Sequence, residues 1–254
     1  MSPVPGSVLF ARYAYPPNEL GYCGPDEAAA LLASTAAGVD SPEVAAQARQ
    51  FDGAWVYLQL LAEAAGIDDP LDARVVSAYW VGGDLLDRLA PERLHARLAD
   101  RFAGQTGGFW SRLGADARPL ARAHHSFHVF AVYPWAGLLG ARSPVPLSVL
   151  DRCRIRWGQV MDLRGEQAVV RSRALLWDGE RLHLGDEADE TVRRSAAGQS
   201  PLADARPGDW VALHFDWICD RLGRGALADL QRASDQQLRL ANLELRAAAG
   251  LRSA

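Results

Sequence analysis

Apolar residues recur at helical spacing in the first half of the chain. Ser41 is a favourable N-cap residue, and Pro42 suits the first helical position that follows it. Gly66 suits the C-terminal end of the helix. Between them the apolar positions follow one another at intervals of three or four: Val44, Ala48, Phe51, Trp55, Leu58 and Leu61. This spacing predicts one amphipathic helix over residues 41–66.

The same plan repeats in the two segments that follow. Residues 69–90 have helical periodicity with a bend expected at Gly82–Gly83, and a shorter helix is expected to begin at Pro91 and end at Gly104. Helices joined by short connections are typical of a bundle. The sequence therefore predicts a mainly helical domain over residues 1–145.

The period changes after Pro144 and Pro146. Residues 153–163, 167–179 and 209–217 alternate or are rich in β-formers, and glycine or proline punctuates them. The last segment, 224–250, is amphipathic with helical spacing. These patterns predict an α+β chain whose second domain, residues 150–254, consists of strands and a C-terminal helix.

Composition narrows the class of protein. The chain has 254 residues, of which 49% are apolar. It contains 27 basic and 31 acidic residues, which gives a net charge of −4. This balance argues against a nucleic acid as partner. The N-terminus lacks the pattern of a signal peptide, no apolar run reaches the ~20 residues of a membrane span, and three cysteines are too few for a disulfide scaffold. A cytoplasmic protein without a membrane or nucleic-acid partner is expected.

Three motifs of the second half occur in a recognisable order. They are CRIRWGQV at 153–160, RGEQAVV at 164–170 and PGDWVALH at 207–214, and a helix follows them. This ordered set resembles the HypC/HupF family, small chaperones of [NiFe]-hydrogenase maturation, over about 150–245.

The resemblance implies a fold, a cargo and partners. The fold would be a small OB-like β-barrel with a C-terminal helix. Cys153 would bind an iron that carries cyanide and carbon monoxide, Fe(CN)2CO, and His214 would lie beside it as a second cofactor-binding residue. The partners would be the hydrogenase large subunit and maturation proteins such as HypD. A thiolate suits such a soft, low-spin iron, and a single thiolate keeps the metal transferable.

The first half contains a segment dense in turn residues, ARYAYPPNELGYCGPDE, and together with HHSFHVFAVYPW it resembles an uncharacterised bacterial family associated with hydrogenase genes. Cys23 stands two residues before a helix expected to begin at Pro25. Because a helix N-terminus lowers the pKa of a thiol, Cys23 is a candidate reactive thiolate or metal ligand. The alternative is a cysteine packed within the loop.

Three histidines occur within five residues in the HHSFH segment. In a helix, His124 and His128 would share a face at i, i+4, and His125 and His128 would be i, i+3. Either pair could chelate a first-row metal. The alternative is that one or two of these histidines are hydrogen-bonded in an aromatic core and the rest are exposed.

The resemblance therefore favours an assembly chaperone over an enzyme. Two alternatives stay open. The first is a metalloenzyme that uses Cys23 and the cluster of His124, His125 and His128. The second is a metal-free protein-interaction module.

Overall fold

The chain folds as a mixed α+β protein with a helical first part, a five-stranded sheet and a C-terminal helix. The computed structural model describes residues 4–102, 108–140 and 143–253. Within those ranges the α-helices are α1 (Gly6–Glu19), α2 (Ala28–Ala37), α3 (Pro42–Ala48), α4 (Asp52–Ala65), α5 (Ala73–Trp80), α6 (Pro91–Arg101), α7 (His125–Phe127), α8 (Val145–Cys153) and α9 (Arg224–Ser253).

The sheet closes on itself. In the order β1-β2-β3-β5-β4 each strand pairs with the next and β4 pairs again with β1. All pairs are antiparallel except β3 with β5, which meet in parallel at Arg193 and Trp217. The strands are β1 (Arg156–Arg164), β2 (Gln167–Trp177), β3 (Leu182–Arg193), β4 (Trp210–His214) and β5 (Trp217–Arg221).

The predicted helix over residues 41–66 has the expected ends but is interrupted. Ser41 caps α3 by accepting a hydrogen bond from the Val44 amide, and Gly66 ends α4 with a φ of 67°. Between residues 49 and 51 the chain leaves the helix, and Phe51 packs edge-on against Phe10. The prediction of one continuous helix was wrong, because the backbone of Phe51 is not helical (φ −84°, ψ 73°) and this residue is the N-cap of a new helix, α4.

The predicted bend at Gly82–Gly83 and the predicted helix start at Pro91 agree with the structure. Gly82 and Gly83 adopt φ values of 113° and 119°, conformations that favour glycine, and they separate α5 from a 3-10 helix over Asp84–Arg88. The expected bend is confirmed. Helix α6 begins at Pro91 as expected, whereas the predicted end at Gly104 lies outside the described residues.

Two strands were not anticipated. Strand β3 contains the acidic GDEADE stretch, which reads as a solvated loop because its carboxylates dominate. Asp186, Glu187 and Asp189 are exposed, and Asp189 pairs with Arg171 of β2 at 2.8 Å, whereas the partly buried Glu190 pairs with the buried Arg156. Strand β5 follows β4 after only two residues, too close to be separated from it by pattern alone.

The hydrophobic core runs across the proline-rich segment that separates the two halves of the sequence. One cluster of buried residues extends from Leu9 in α1 to Leu245 in α9 and includes Cys153. A smaller cluster lies inside the closed sheet and contains Val160, Val170 and Ile218. No helix among the described residues is long and apolar enough to cross a membrane.

Candidate metal centre

Three buried side chains from distant parts of the sequence converge between the helical part and the sheet. One ligand atom each from His125, Cys153 and His214 lies within 4.8 Å of the other two. All three residues are less than a tenth exposed. Two imidazoles and a thiol at such separations form a potential site for a transition metal.

Cys153 is the last residue of α8, directly before the chain enters β1. Its Sγ lies 3.9 Å from Nε2 of His125, and its carbonyl oxygen lies 2.8 Å from the same nitrogen. A helix end leaves carbonyl groups without helical partners, so the imidazole satisfies one of them. The same contact holds the thiol beside the ring.

His214 ends β4, and the turn that follows it fixes its position. Phe215 has a φ of 49°, uncommon for a residue with a side chain, and its amide donates to the Arg152 carbonyl at 2.7 Å. This bond joins the end of β4 to the end of α8, and so His214 to Cys153. The Nδ1 of His214 donates to the Tyr13 carbonyl at 2.6 Å.

The hydrogen bonds define the protonation of both rings. A carbonyl oxygen only accepts, so Nδ1 of His214 carries the proton and its Nε2 keeps a free lone pair. That buried Nε2 has no hydrogen-bond partner among the described residues. By the same reasoning Nε2 of His125 donates to Cys153, and the Tyr79 hydroxyl, at 3.2 Å, donates to Nδ1 of His125.

Burial keeps the group neutral. It lowers the pKa of His125 to about 4 and, together with the nearby His125, holds the pKa of His214 well below its ordinary value. Burial also raises the pKa of the Cys153 thiol, and Cys23 adds to the rise. At neutral pH both imidazoles are therefore uncharged potential ligands, and a metal would have to displace the thiol proton.

The three residues line a cavity of about 220 Å³. Its walls are mostly aromatic or small, and both the helical part and the sheet contribute to them. The Trp80 ring packs against both histidines, with centroid distances of 4.6 Å to His125 and 5.7 Å to His214, and the two imidazoles lie 5.0 Å apart. The remaining wall residues include Ala14, Phe51, Gly53, Tyr79, Tyr133, Trp135 and Val149.

His124 and His128 do not share a helix face as predicted. His124 precedes α7 in an extended conformation and caps it, its Nδ1 accepting from the Ser126 amide at 3.1 Å. His128 lines the cavity with Nδ1 3.1 Å from the Tyr57 hydroxyl. Both are buried, as is His125, so the alternative with exposed histidines is wrong. Neither belongs to the group of three.

Cys23 lies on the wall of the same cavity, between α1 and α2. The first part of the segment dense in turn residues is helical, since α1 extends to Glu19 and contains Pro16 and Pro17. The expected lowering of its pKa was wrong, since α2 begins at Ala28 and burial raises the pKa of this thiol to about 12. Cys219 is fully buried in β5 and is not among the described residues that line the cavity.

The sequence pointed to some members of the site and missed others. It selected Cys153 and His214 and expected them to lie near each other, and it noted His125 only as part of the HHSFH segment. It gave no sign of Tyr79 or Trp80, because in the sequence both are simply apolar positions of α5. Only their contacts with the histidines distinguish them from ordinary core residues.

Comparisons with known proteins place the chain in a family without assigning an activity. The profile of a family of unknown function (DUF6390) matches residues 2–248. The chain belongs to this family. No curated protein and no solved structure matched the chain in these comparisons.

Proposed function

We propose that this protein is a metal-binding accessory protein of [NiFe]-hydrogenase maturation that holds iron through Cys153, His214 and His125. The observation that carries the proposal is the convergence of these three side chains within 4.8 Å of one another. Two of them, Cys153 and His214, correspond to the motifs that resemble the HypC/HupF family. The third, His125, comes from the helical half.

The donor set suits a first-row transition metal. The 3.9 Å between Sγ of Cys153 and Nε2 of His125 is close to the ~3.5 Å expected for two donors that share one tetrahedral metal at ~2.0–2.3 Å. To bind through Nε2, His125 would transfer its ring proton to Nδ1 and donate it to Tyr79. The Tyr79 hydroxyl can accept as well as donate, so it supports either tautomer.

Three protein donors leave further coordination positions open toward the cavity. Such a site can hold a metal that already carries small ligands and can release it, whereas a closed four-ligand site retains its metal. We therefore infer an Fe(CN)2CO unit, bound transiently, as the cargo. The hydrogenase large subunit and HypD are the proposed partners, and an OB-like barrel is the proposed class of the closed sheet.

Metal titration of the purified chain tests the site directly. Cobalt(II) serves as the spectroscopic probe, because a coordinating thiolate produces a charge-transfer band in the near ultraviolet. We expect one equivalent to bind to the wild type with this band. Cys153→Ala should lose the band, and His214→Ala should weaken binding by about 100-fold.

Matched variants separate ligation from general damage to the fold. Cys219→Ala removes the other fully buried thiol, and His183→Ala removes a partly exposed histidine of β3. Both should bind cobalt as the wild type does. If Cys153→Ala retained the band, or if Cys219→Ala lost it equally, the assignment would be wrong.

Infrared spectroscopy tests the cargo. The chain is purified anaerobically from cells that also express the hydrogenase-maturation proteins. Cyanide and carbonyl stretching bands in the wild type that are absent from Cys153→Ala would support the iron carrier. Their absence from both proteins, with cobalt binding intact, would leave a metal site but reject the Fe(CN)2CO cargo.

A metalloenzyme is the second candidate, because Cys23 and His128 lie on the wall of the same cavity. In that case Cys23→Ala or His128→Ala should change the cobalt spectrum or the stoichiometry. The carrier model expects both variants to bind one equivalent with the wild-type spectrum.

A further inference from the structure

A second concave surface lies close to the cavity and differs from it in charge. It is a groove of about 520 Å³ between the 3-10 helix Pro134–Leu138, the turn between β2 and β3, and the C-terminal part of α9. Phe109, Leu138, Trp177 and Leu245 supply apolar walls, and Arg112, Arg181 and Arg246 surround them. We call it the arginine groove.

The charge of the arginine groove is largely unbalanced. Arg181 pairs with Asp178 at 3.2 Å, but Arg112 and Arg246 have no ion pair with any described residue. Arg239 extends the positive surface, since it lines a smaller depression together with Arg181 and Arg246. Among the described lining residues of the groove the single carboxylate is Glu180.

The local excess of positive charge contrasts with the rest of the molecule. The chain carries a net charge of −4, and on the outer face of the sheet arginines such as Arg171 are paired with carboxylates. Exposed arginines around an apolar floor, which includes Leu138 at 46% exposure, complement a ligand that alternates acidic and apolar groups.

The arginine groove adjoins the candidate metal centre. Pro134 lines both the groove and the cavity, and its neighbours Tyr133 and Trp135 lie on the cavity wall. A ligand in the groove would therefore contact the segment that closes one side of the cavity. This position suits a partner that receives or delivers the contents of the cavity.

We infer that the arginine groove binds a segment of a partner protein rich in aspartate or glutamate and interleaved with apolar residues. The inference rests on the proposed function only for what passes between the partners; the groove and its charge are independent of any metal. Arginine side chains would pair with the carboxylates while the apolar side chains fill the floor.

Selection from random peptides tests the inference without assuming a partner. A phage-displayed peptide library is panned against the full chain, and the selected peptides are measured by fluorescence anisotropy. We expect enrichment of acidic residues interleaved with apolar ones. The double variant R112E/R246E should weaken their binding by at least about tenfold, since each reversal places like charges against the peptide.

Further variants make the result decisive. Arg97→Glu changes charge at an exposed residue of α6 outside the groove, and it should leave binding unchanged. Leu138→Ala should weaken binding without changing charge. Cys153→Ala should bind the peptides normally, whereas R112E/R246E should bind cobalt normally, so failure of the groove and failure of the metal site are distinguishable.

Four outcomes would overturn the inference. These are selection of no peptide that is sensitive to R112E/R246E, selection of neutral sequences, and equal loss of binding in Arg97→Glu. The fourth is a different occupant: displacement of the peptides by single-stranded DNA at physiological salt, or self-association in analytical ultracentrifugation that R112E/R246E abolishes.

Discussion

The two faces of strand β4 are both buried, yet their chemistry is opposite. Val211 and Leu213 face the inside of the closed sheet and join its small apolar cluster. Ala212 belongs to the main core, and His214 lines the cavity beneath the helical part. Successive residues of one strand thus serve two different environments, because side chains alternate across a strand.

The difference lies in what each environment leaves unsatisfied. The described cluster inside the sheet consists of aliphatic side chains, which require only close packing. On the cavity side, Nε2 of His214 is buried and has no hydrogen-bond partner in the described part of the chain. A buried polar atom without a partner costs free energy of folding. Such an atom beside a thiol and a second imidazole suggests that this face is built for a ligand, and the other face for stability.

The largest expected effect of this contrast is the response to acid. Burial lowers the pKa values of His124 and His128 to about 3 and of His125 to about 4, and it also lowers the pKa of His214 well below the ordinary ~6.5. The unfolded metal-free chain therefore takes up protons at a higher pH than the folded one. The free energy of unfolding should therefore be highest above about pH 6.5. Between pH 6.5 and pH 4 it should fall by ~1.4 kcal/mol per pH unit for each such histidine.

Urea unfolding of the metal-free chain at several pH values measures this slope. His124→Asn keeps an acceptor for the Ser126 amide and removes one titrating ring, so it should flatten the slope. An equal slope in wild type and His124→Asn would show that this histidine is not buried in its neutral form.

Inside the closed sheet, the free energy of unfolding should depend on the volume of the buried side chains rather than on pH. Ile218 is fully buried in the small cluster, so Ile218→Ala should lower the free energy of unfolding by about 2–5 kcal/mol. Cobalt binding by the folded variant should match the wild type. Met161→Ala, at a position 38% exposed, is the matched control and should change stability by less than about 0.5 kcal/mol. A large loss of cobalt affinity in Ile218→Ala would mean that the two faces are coupled.

The smallest expected change in stability comes from removing the hydrogen bond between Tyr79 and His125. Tyr79→Phe removes the hydroxyl 3.2 Å from Nδ1 of His125 while keeping the ring. Stability should fall by only about 1 kcal/mol, but cobalt affinity should fall by about tenfold, because the imidazole loses the group that orients it. Tyr57→Phe removes the equivalent bond to His128 and is the control. Equal affinities in the two variants would contradict the role given to Tyr79.

Local pattern was enough for much of the fold. Several predicted features follow from properties of single residues, and the structure confirms them. They are the N-cap at Ser41, the helix end at Gly66, the helix start at Pro91 and the bend at Gly82–Gly83. The change of periodicity predicted strands after the proline-rich segment, but helix α8 (Val145–Cys153) was not predicted, and β1 begins only at Arg156. The two-domain division at about residue 145 stays a prediction, alongside a buried core that includes residues of both halves.

The site itself depended on tertiary contacts. Sequence motifs singled out Cys153 and His214, which stand 61 positions apart by their numbering, but not the elements that bring them together. The amide of Phe215 bonds to Arg152, Tyr13 of α1 fixes the ring of His214, and the Cys153 carbonyl holds His125. Each of these bonds uses a backbone group, which every residue carries and which no sequence pattern can therefore reveal. The sequence by itself determined which residues could ligate a metal and where several helices begin or end, because those properties are local. Only the tertiary structure decided which of the ligands meet.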